Sequence, residues 1–294
     1  MNGKFWETYQ PGFRFARASV GTKEFFNEVT AYRYALEPHI ADMVTFERWV
    51  GHRVLEAGCG IGTDGARFAG VGAAYTGMDA SAPALALARQ RLALDGLAGD
   101  FVLGSVTTLP FADATFDLVF SHGVIHHVVD TDEAVLEFCR VLKPGGTVLV
   151  MVYNRRSFNY YVTIMLLRRF LIGLLMLPWG TAVVSRVTGE PEAVIAGHRA
   201  LLAKYGWRYV LDRSLFLSNN TDGPGNPLTK VYSPREMRKL FPGGFRVTSA
   251  VRYLNLRLYP GGARLARTRV AKRLERWIGW HLYICGKKDK LQYP

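Results

Sequence analysis

The chain has 294 residues, 49% of them hydrophobic and 21% charged, which suffices for a full buried core and excludes a disordered polypeptide. Its three cysteines, Cys59, Cys139 and Cys285, lie far apart without a CxxC spacing, so neither a disulfide framework nor a zinc site is expected, and a reducing cytoplasm is the natural setting. The formal net charge is +13, and Arg246 to Pro294 alone carries twelve Lys or Arg against Glu275 and Asp289, a balance that suits nucleic acid, an anionic lipid surface or an acidic substrate.

The opening MNGKFWETYQPGF lacks an apolar h-region, so no secretory leader is expected. Residues 1–50 are rich in aromatics, among them Phe25, Phe26, Tyr32 and Tyr34, and are predicted to form a helical lid. Residues 51–154 alternate between two periods. Strands are predicted at Arg53–Gly58, Ala74–Asp79, Phe101–Val106, Phe116–Ser121 and Gly146–Tyr153. Between them lie a helix start at Thr63–Ala69, a helix over Ser81–Asp95 with Ser81 as N-cap, and one over Thr131–Leu142 stopped by Lys143-Pro144-Gly145-Gly146. This alternation predicts a parallel sheet with helices on both faces.

The rhythm breaks over 155–232. Tyr160–Gly180 is apolar but holds Arg168 and Arg169 in its middle, so it is predicted to be a buried cap or interfacial helix and not a membrane span. Such a cap is expected to lend its Leu, Ile, Met, Phe and Trp side chains to an apolar acceptor pocket. Residues 233–294 complete the core. They begin with a capping box at Ser233-Pro234-Arg235-Glu236, continue with a strand at Phe245–Tyr253, and end with a strand at Trp280–Gly286. Between these strands, Ala263–Trp280 sets Leu265, Val270, Leu274 and Ile278 against many arginines, the pattern of a basic amphipathic helix suited to an anionic membrane surface or docked on the sheet.

The chemistry concentrates in Glu56-Ala57-Gly58-Cys59-Gly60-Ile61-Gly62, where a strand runs into a loop with three alternate glycines and then a helix. Glycines let the backbone take positive φ and approach a ligand closely. Asp79 ends the next strand, where a carboxylate can accept both hydroxyls of a ribose. NAD enzymes share these two features, so they point to an adenosine-type ligand without separating NAD from S-adenosylmethionine (SAM). The runs Leu109-Pro110-Phe111, Phe116-Asp117-Leu118-Val119, Ser121-His122-Gly123-Val124-Ile125-His126-His127 and Leu142-Lys143-Pro144-Gly145-Gly146 make that separation. In this order they resemble the class I SAM-dependent methyltransferases, closest to the ubiquinone and menaquinone biosynthesis branch.

The resemblance covers residues 50–153 densely and the final Trp280–Lys287 segment, and leaves the insertion unexplained. It implies a Rossmann-like seven-stranded sheet, mostly parallel with an antiparallel last strand, plus a helical cap. It implies that Gly58, Gly60 and Gly62 line the methionine half of SAM, with Glu56 near its amino group. Asp79 would hold the ribose, Met78 and Ala80 would flank the adenine, and Ser105 and Val106 would replace the usual adenine-binding Asp. Ser121 and His122 would lie beside the methyl group, and Arg33 or His39 would meet the SAM carboxylate. Candidate proton acceptors are His126, His122 and Tyr153. His122 and His126 stand four apart, but no acid or cysteine completes a ligand set, so no metal is expected. The expected activity is methyl transfer to O or C of a small, partly apolar, lipid- or quinone-like acceptor, in the cytoplasm or at the membrane periphery. The alternatives are RNA methylation, which the basic charge encourages but the missing Asn/Asp-Pro-Pro-aromatic motif opposes, and an inactive SAM-binding partner protein.

Overall fold

The computed structural model describes residues 3–8, 13, 16–256, 259, 261–266 and 268–290. Seven strands form one sheet in the order β3-β2-β1-β4-β5-β7-β6. They are β1 (Arg53–Ala57), β2 (Ala74–Asp79), β3 (Asp100–Leu103), β4 (Phe116–His122), β5 (Leu142–Tyr153), β6 (Phe245–Arg252) and β7 (His281–Lys288). Strand β1 pairs in parallel with β2 on one side and β4 on the other, whereas β7 runs antiparallel to both β5 and β6. The strand order therefore reverses between β1 and β4, and open α/β sheets bind ligands outside the carboxyl ends of the strands at such a point.

Strand alternation divides the core. Leu55, Val119, Val148 and Ile284 face the helix Thr131–Val141, whose Ala134, Val135 and Phe138 are buried against them. Val54, Leu118, Phe120 and Tyr283 face the other way, onto Phe46 and Phe68. The helix Ala82–Leu94 starts where Ser81 accepts from the Ala84 N–H. The segment expected to form a lid holds the helix Lys23–Leu36, capped by Thr22.

Residues 155–232 are helical and build their own core around Tyr160, Ile172, Ile195, Tyr209 and Phe216, joined to the sheet domain through Trp280. The long helix expected over Tyr160–Gly180 is broken. Asn159–Arg168 winds as a π-helix, Arg169–Leu174 continues as α-helix, and a turn through Leu177 and Gly180 precedes the helix Gly180–Thr188. No described helix is long and apolar enough to cross a membrane. Two further boundaries differ from the sequence expectation. Lys143-Pro144-Gly145-Gly146 does not separate helix from strand, because β5 begins at Leu142 and pairs with Phe116 through an irregular register. The basic helix is split into Gly262–Leu265 and Arg269–Ile278, the second piece starting at a Thr268 cap. Arg267 lies outside the described residues.

Candidate active site

At the end of β1 the chain turns through Gly58, Gly60 and Gly62, with φ of 85°, 52° and 72°. A Cβ on Gly58 would lie 2.3 Å from Val124 Cγ2, so hydrogen alone fits there. The Gly60 N–H donates to Asp79 Oδ2 at 2.8 Å, and the Ser81 N–H to Oδ1 at 2.9 Å. Asp79 thus ties the glycine loop to the start of the next helix, and each oxygen keeps a lone pair for a further donor. Burial raises the Asp79 carboxyl above its usual range, and the two N–H groups oppose that rise.

Beneath the loop, Glu56 is 4% exposed and accepts from Tyr75 Oη at 2.7 Å. Burial, reinforced by Asp64, pushes its carboxyl well above the ordinary value. Asp64 accepts from Arg33 Nε at 3.1 Å, Arg33 Nη2 at 2.5 Å and Tyr34 Oη at 2.6 Å, so the helix Lys23–Leu36 is fastened to the loop by a bidentate ion pair. Arg33 Nη2 also lies 3.3 Å from His122 Nδ1, and His122 Nε2 lies 2.9 Å from Tyr283 Oη.

A cavity of about 700 Å³ opens from here. Its wall carries Arg33, Glu56, Gly58, Gly60, Asp64 and His122 from the helix Lys23–Leu36, β1, the glycine loop and β4, and Tyr153, Arg168, Glu190, Asn220, Asp222 and Trp280 from β5, the insertion and the residue before β7. The glycine-loop part fits the aminoacyl half of SAM. The Glu56 carboxyl faces the cavity with one neutral hydroxyl as its partner, and an ammonium group would supply the missing positive charge. Above Gly60, a Cβ would meet nothing within 4 Å, which leaves room for the ligand.

The remaining predicted residues sort by position. Met78, Asp79, Ala80, Ser105 and Val106 lie at the carboxyl edge of β2 and β3, beyond the cavity wall. There Met78 is buried, Ala80 is exposed, and the Ser105 hydroxyl is 2.8 Å from Thr107 Oγ1. Gly62 packs toward Ala88. The Ser121 hydroxyl is buried and donates to the Ala57 carbonyl at 2.8 Å, so it braces β4 on β1. His39 does not line the cavity. It is buried with Nε2 3.1 Å from His281 Nδ1, and burial together with His281 depresses its pKa to about 3. His126 does not reach the cavity either. It is fully buried behind Tyr153, ring centroids 4.0 Å apart, and neither ring nitrogen has a hydrogen-bond partner among the described residues. Burial and the neighbouring His127 hold it neutral. His122 and His126 do not share a helix, since one ends β4 and the other sits in a short 3₁₀ turn. Potential ligand atoms of Glu37, His122 and His281 do converge within 4.8 Å, but Arg33 already places a cation there, with Nη1 3.9 Å from Glu37 Oε2.

The insertion's part of the cavity wall departs from the apolar pocket expected of it. Its large apolar residues pack on one another or face outward, and the π-helix turns Asn159, Thr163, Ile164 and Arg168 toward the cavity. Arg168 is ion-paired with Glu190. Tyr153 Oη donates to Asp222 Oδ1 at 2.9 Å, and Asp222 Oδ2 lies 3.4 Å from His127 Nε2. The Tyr153 ring stacks on Trp280 at 4.3 Å. Sequence reasoning assigned no role to Asp64, Asp222 or Trp280. Asp64 stands two residues past the glycine motif, and its signal was an acid at the start of the helix that follows.

A family model described as "Methyltransferase domain" matches residues 55–150. The ubiquinone biosynthesis O-methyltransferase of Thiobacillus denitrificans is 31% identical over 193 residues, covering 63% of this chain and 76% of that protein. The demethylmenaquinone methyltransferase of Clavibacter sepedonicus is 34% identical over 119 residues, covering 38% of this chain and 48% of its own length. Among solved structures, a SAM-dependent methyltransferase from Methanosarcina mazei superposes with a TM-score of 0.51 at 16% identity, over 84% of this chain and 97% of the other, a likeness of fold. The glycine loop, the buried Glu56 facing the cavity, the antiparallel β7 and these relatives agree: the chain belongs to the class I SAM-dependent methyltransferases and uses SAM as its methyl donor.

Proposed function

We propose that the enzyme methylates a hydroxyl oxygen on a small, ring-bearing, quinol-like acceptor held between the insertion and the sheet. A volume of about 700 Å³ lies in the range of small-molecule sites and favours such an acceptor over a nucleic acid. Relatives matched over 72–76% of their length are named ubiquinone biosynthesis O-methyltransferases, whereas those named demethylmenaquinone methyltransferases match over 46–48%. That balance favours oxygen over carbon.

Bound SAM supplies a methyl group already activated by its sulfonium. What remains for the protein is to hold, orient, exclude water and take one proton. Glu56 holds the ammonium and Asp79 the ribose diol, while Met78, Ala80, Ser105 and Val106 border the adenine. Gly58, Gly60 and Gly62 admit the aminoacyl chain, and Arg33, locked on Asp64, closes the lid above it. Ser121 braces the strand that carries His122 to the reacting end. The acceptor ring lies beside Tyr153 and Trp280. As its oxygen gains the methyl group, its O–H proton passes to the Asp222 carboxylate, which Tyr153 orients. Asp222 releases that proton to solvent when the product leaves.

The observation that carries this reading is a second carboxylate on the wall of the cavity that Glu56 lines, hydrogen-bonded to a stacked tyrosine. The test is labelled-methyl transfer into a panel of catechols and quinols. Asp222→Asn should lower kcat by roughly 10²–10⁴ with SAM affinity intact, and activity should recover as pH rises toward the pKa of the acceptor hydroxyl. Unchanged kcat in that variant would remove Asp222 as the proton acceptor.

A further inference from the structure

The helix Arg269–Ile278 turns its apolar stripe outward. Val270, Leu274 and Trp277 recur at the spacing of one helix face and are 66%, 46% and 78% exposed. The face that meets the protein is carried by the buried Ala271 and the half-buried Ile278, in a small cluster with Leu254, Leu256 and Phe158. An amphipathic helix docked on a sheet would bury such a stripe, and this one does not.

Beside Trp277 lies a groove of about 540 Å³ between this helix and the end of β6, lined by Arg156, Arg252, Arg276 and Ser249. None of the three arginines is ion-paired among the described residues, and Arg252 spends one N–H on the Val251 carbonyl at 2.9 Å. The acid that feels Arg252 and Arg276 is Glu275, itself half-buried and raised by that burial. Ser249 accepts from Arg238 at 3.1 Å, which brings a fourth guanidinium to the rim. Outside the groove, Arg269, Lys272 and Arg273 are exposed on the same helix.

From this geometry we infer that the enzyme docks peripherally on a bilayer of anionic phospholipid, with Val270, Leu274 and Trp277 in the acyl boundary and a lipid phosphate in the groove of Arg156, Arg252 and Arg276. Charge complementarity selects the partner, because an apolar stripe flanked by unpaired cations matches the acyl–headgroup boundary of a negatively charged leaflet. The proposal also sets the active site near the lipid. The segment after Arg252 carries Tyr253 and Asn255 into the wall of the large cavity, and Trp280 lines that cavity two residues beyond the docking helix. The inference stands apart from the identity of the acceptor, since docking requires no turnover.

The test is co-sedimentation of the full chain with vesicles of phosphatidylcholine alone and of equal parts phosphatidylcholine and phosphatidylglycerol. Binding to the anionic vesicles should exceed binding to the neutral ones by tenfold or more and should weaken in 0.5 M salt. Val270→Ser with Trp277→Ser, and separately Arg156→Glu with Arg276→Glu, should each abolish most of the bound fraction. Each cation lost should cost roughly fivefold in partitioning. All four side chains substituted are exposed, and S-adenosylhomocysteine binding by the variants verifies that they remain folded. Equal binding to both vesicle types, or variants that sediment like the parent, would overturn the proposal. So would a concentration-dependent dimer that the Val270/Trp277 variant loses without any vesicle binding by the parent.

Discussion

Asp79 serves two partners at once. Its carboxylate accepts from Gly60 and Ser81, so it sets the shape of the glycine loop, and it keeps lone pairs for the ribose proposed to bind there. Replacing Asp79 with Ala should weaken S-adenosylhomocysteine binding by about 1.5–3 kcal/mol, the scale of hydrogen bonds to a charged group, as measured by calorimetric titration. Unaltered affinity would place the ribose elsewhere. Asp79 and the glycines could be read from sequence because their job is local, a strand end followed by a turn of defined backbone geometry. Asp222 could not. It reaches Tyr153 only through the packing of the insertion, and nothing in Thr221-Asp222-Gly223 distinguishes it from a turn acid. His126 fails in the opposite direction. Its place after the fourth strand suggested a cavity-facing base, yet the 3₁₀ turn at Ile125–His127 rotates it into the interior behind Tyr153.

At the scale of elements, start signals were more legible than winding. Ser233-Pro234-Arg235-Glu236 is a capping box in fact, with the Glu236 N–H donating to Ser233 Oγ at 3.3 Å and the Ser233 N–H to Glu236 Oε2 at 2.8 Å. It opens a helix of only 6 residues, so the cap satisfies a large share of the helix's free N–H groups. Ser233→Ala should therefore destabilise the protein by about 1 kcal/mol, seen as a fall in Tm of roughly 2 °C. An unchanged Tm would mean that tertiary packing of the buried Met237 alone holds the helix. The insertion shows what periodicity missed. An α-helix advances about 100° per residue, so Arg168 would point away from the face that Asn159 and Thr163 share. In a π-helix, bonded from residue i to i+5, they fall nearly in line, and the polar stripe reaches the cavity.

The molecule as a whole folds around uncharged histidines. His198 and His281 have pKa values depressed to about 3, chiefly by burial, helped by Arg168 and Arg33 respectively, and His122 and His126 are pushed well below the ordinary value for the same reason. In the unfolded chain each regains a value of about 6.5. Between these limits the unfolded state binds more protons than the folded state, so stability rises with pH. The contribution is complete above about pH 6.5 and is lost progressively as pH falls toward 3. Glu56 opposes it, because a carboxyl raised on folding takes its proton earlier in the folded state and so favours folding in acid. Asp79 and Glu275 are raised likewise, so three carboxyls are set against five depressed histidines, His39 being the fifth, and the histidines prevail through the window in which they titrate. The urea midpoint should accordingly be flat between pH 7 and 8 and fall steadily from pH 6.5 to 5. A midpoint that held constant to pH 5 would show that these histidines are hydrated in solution, and with them the wall of the cavity that His122 and His281 help to form.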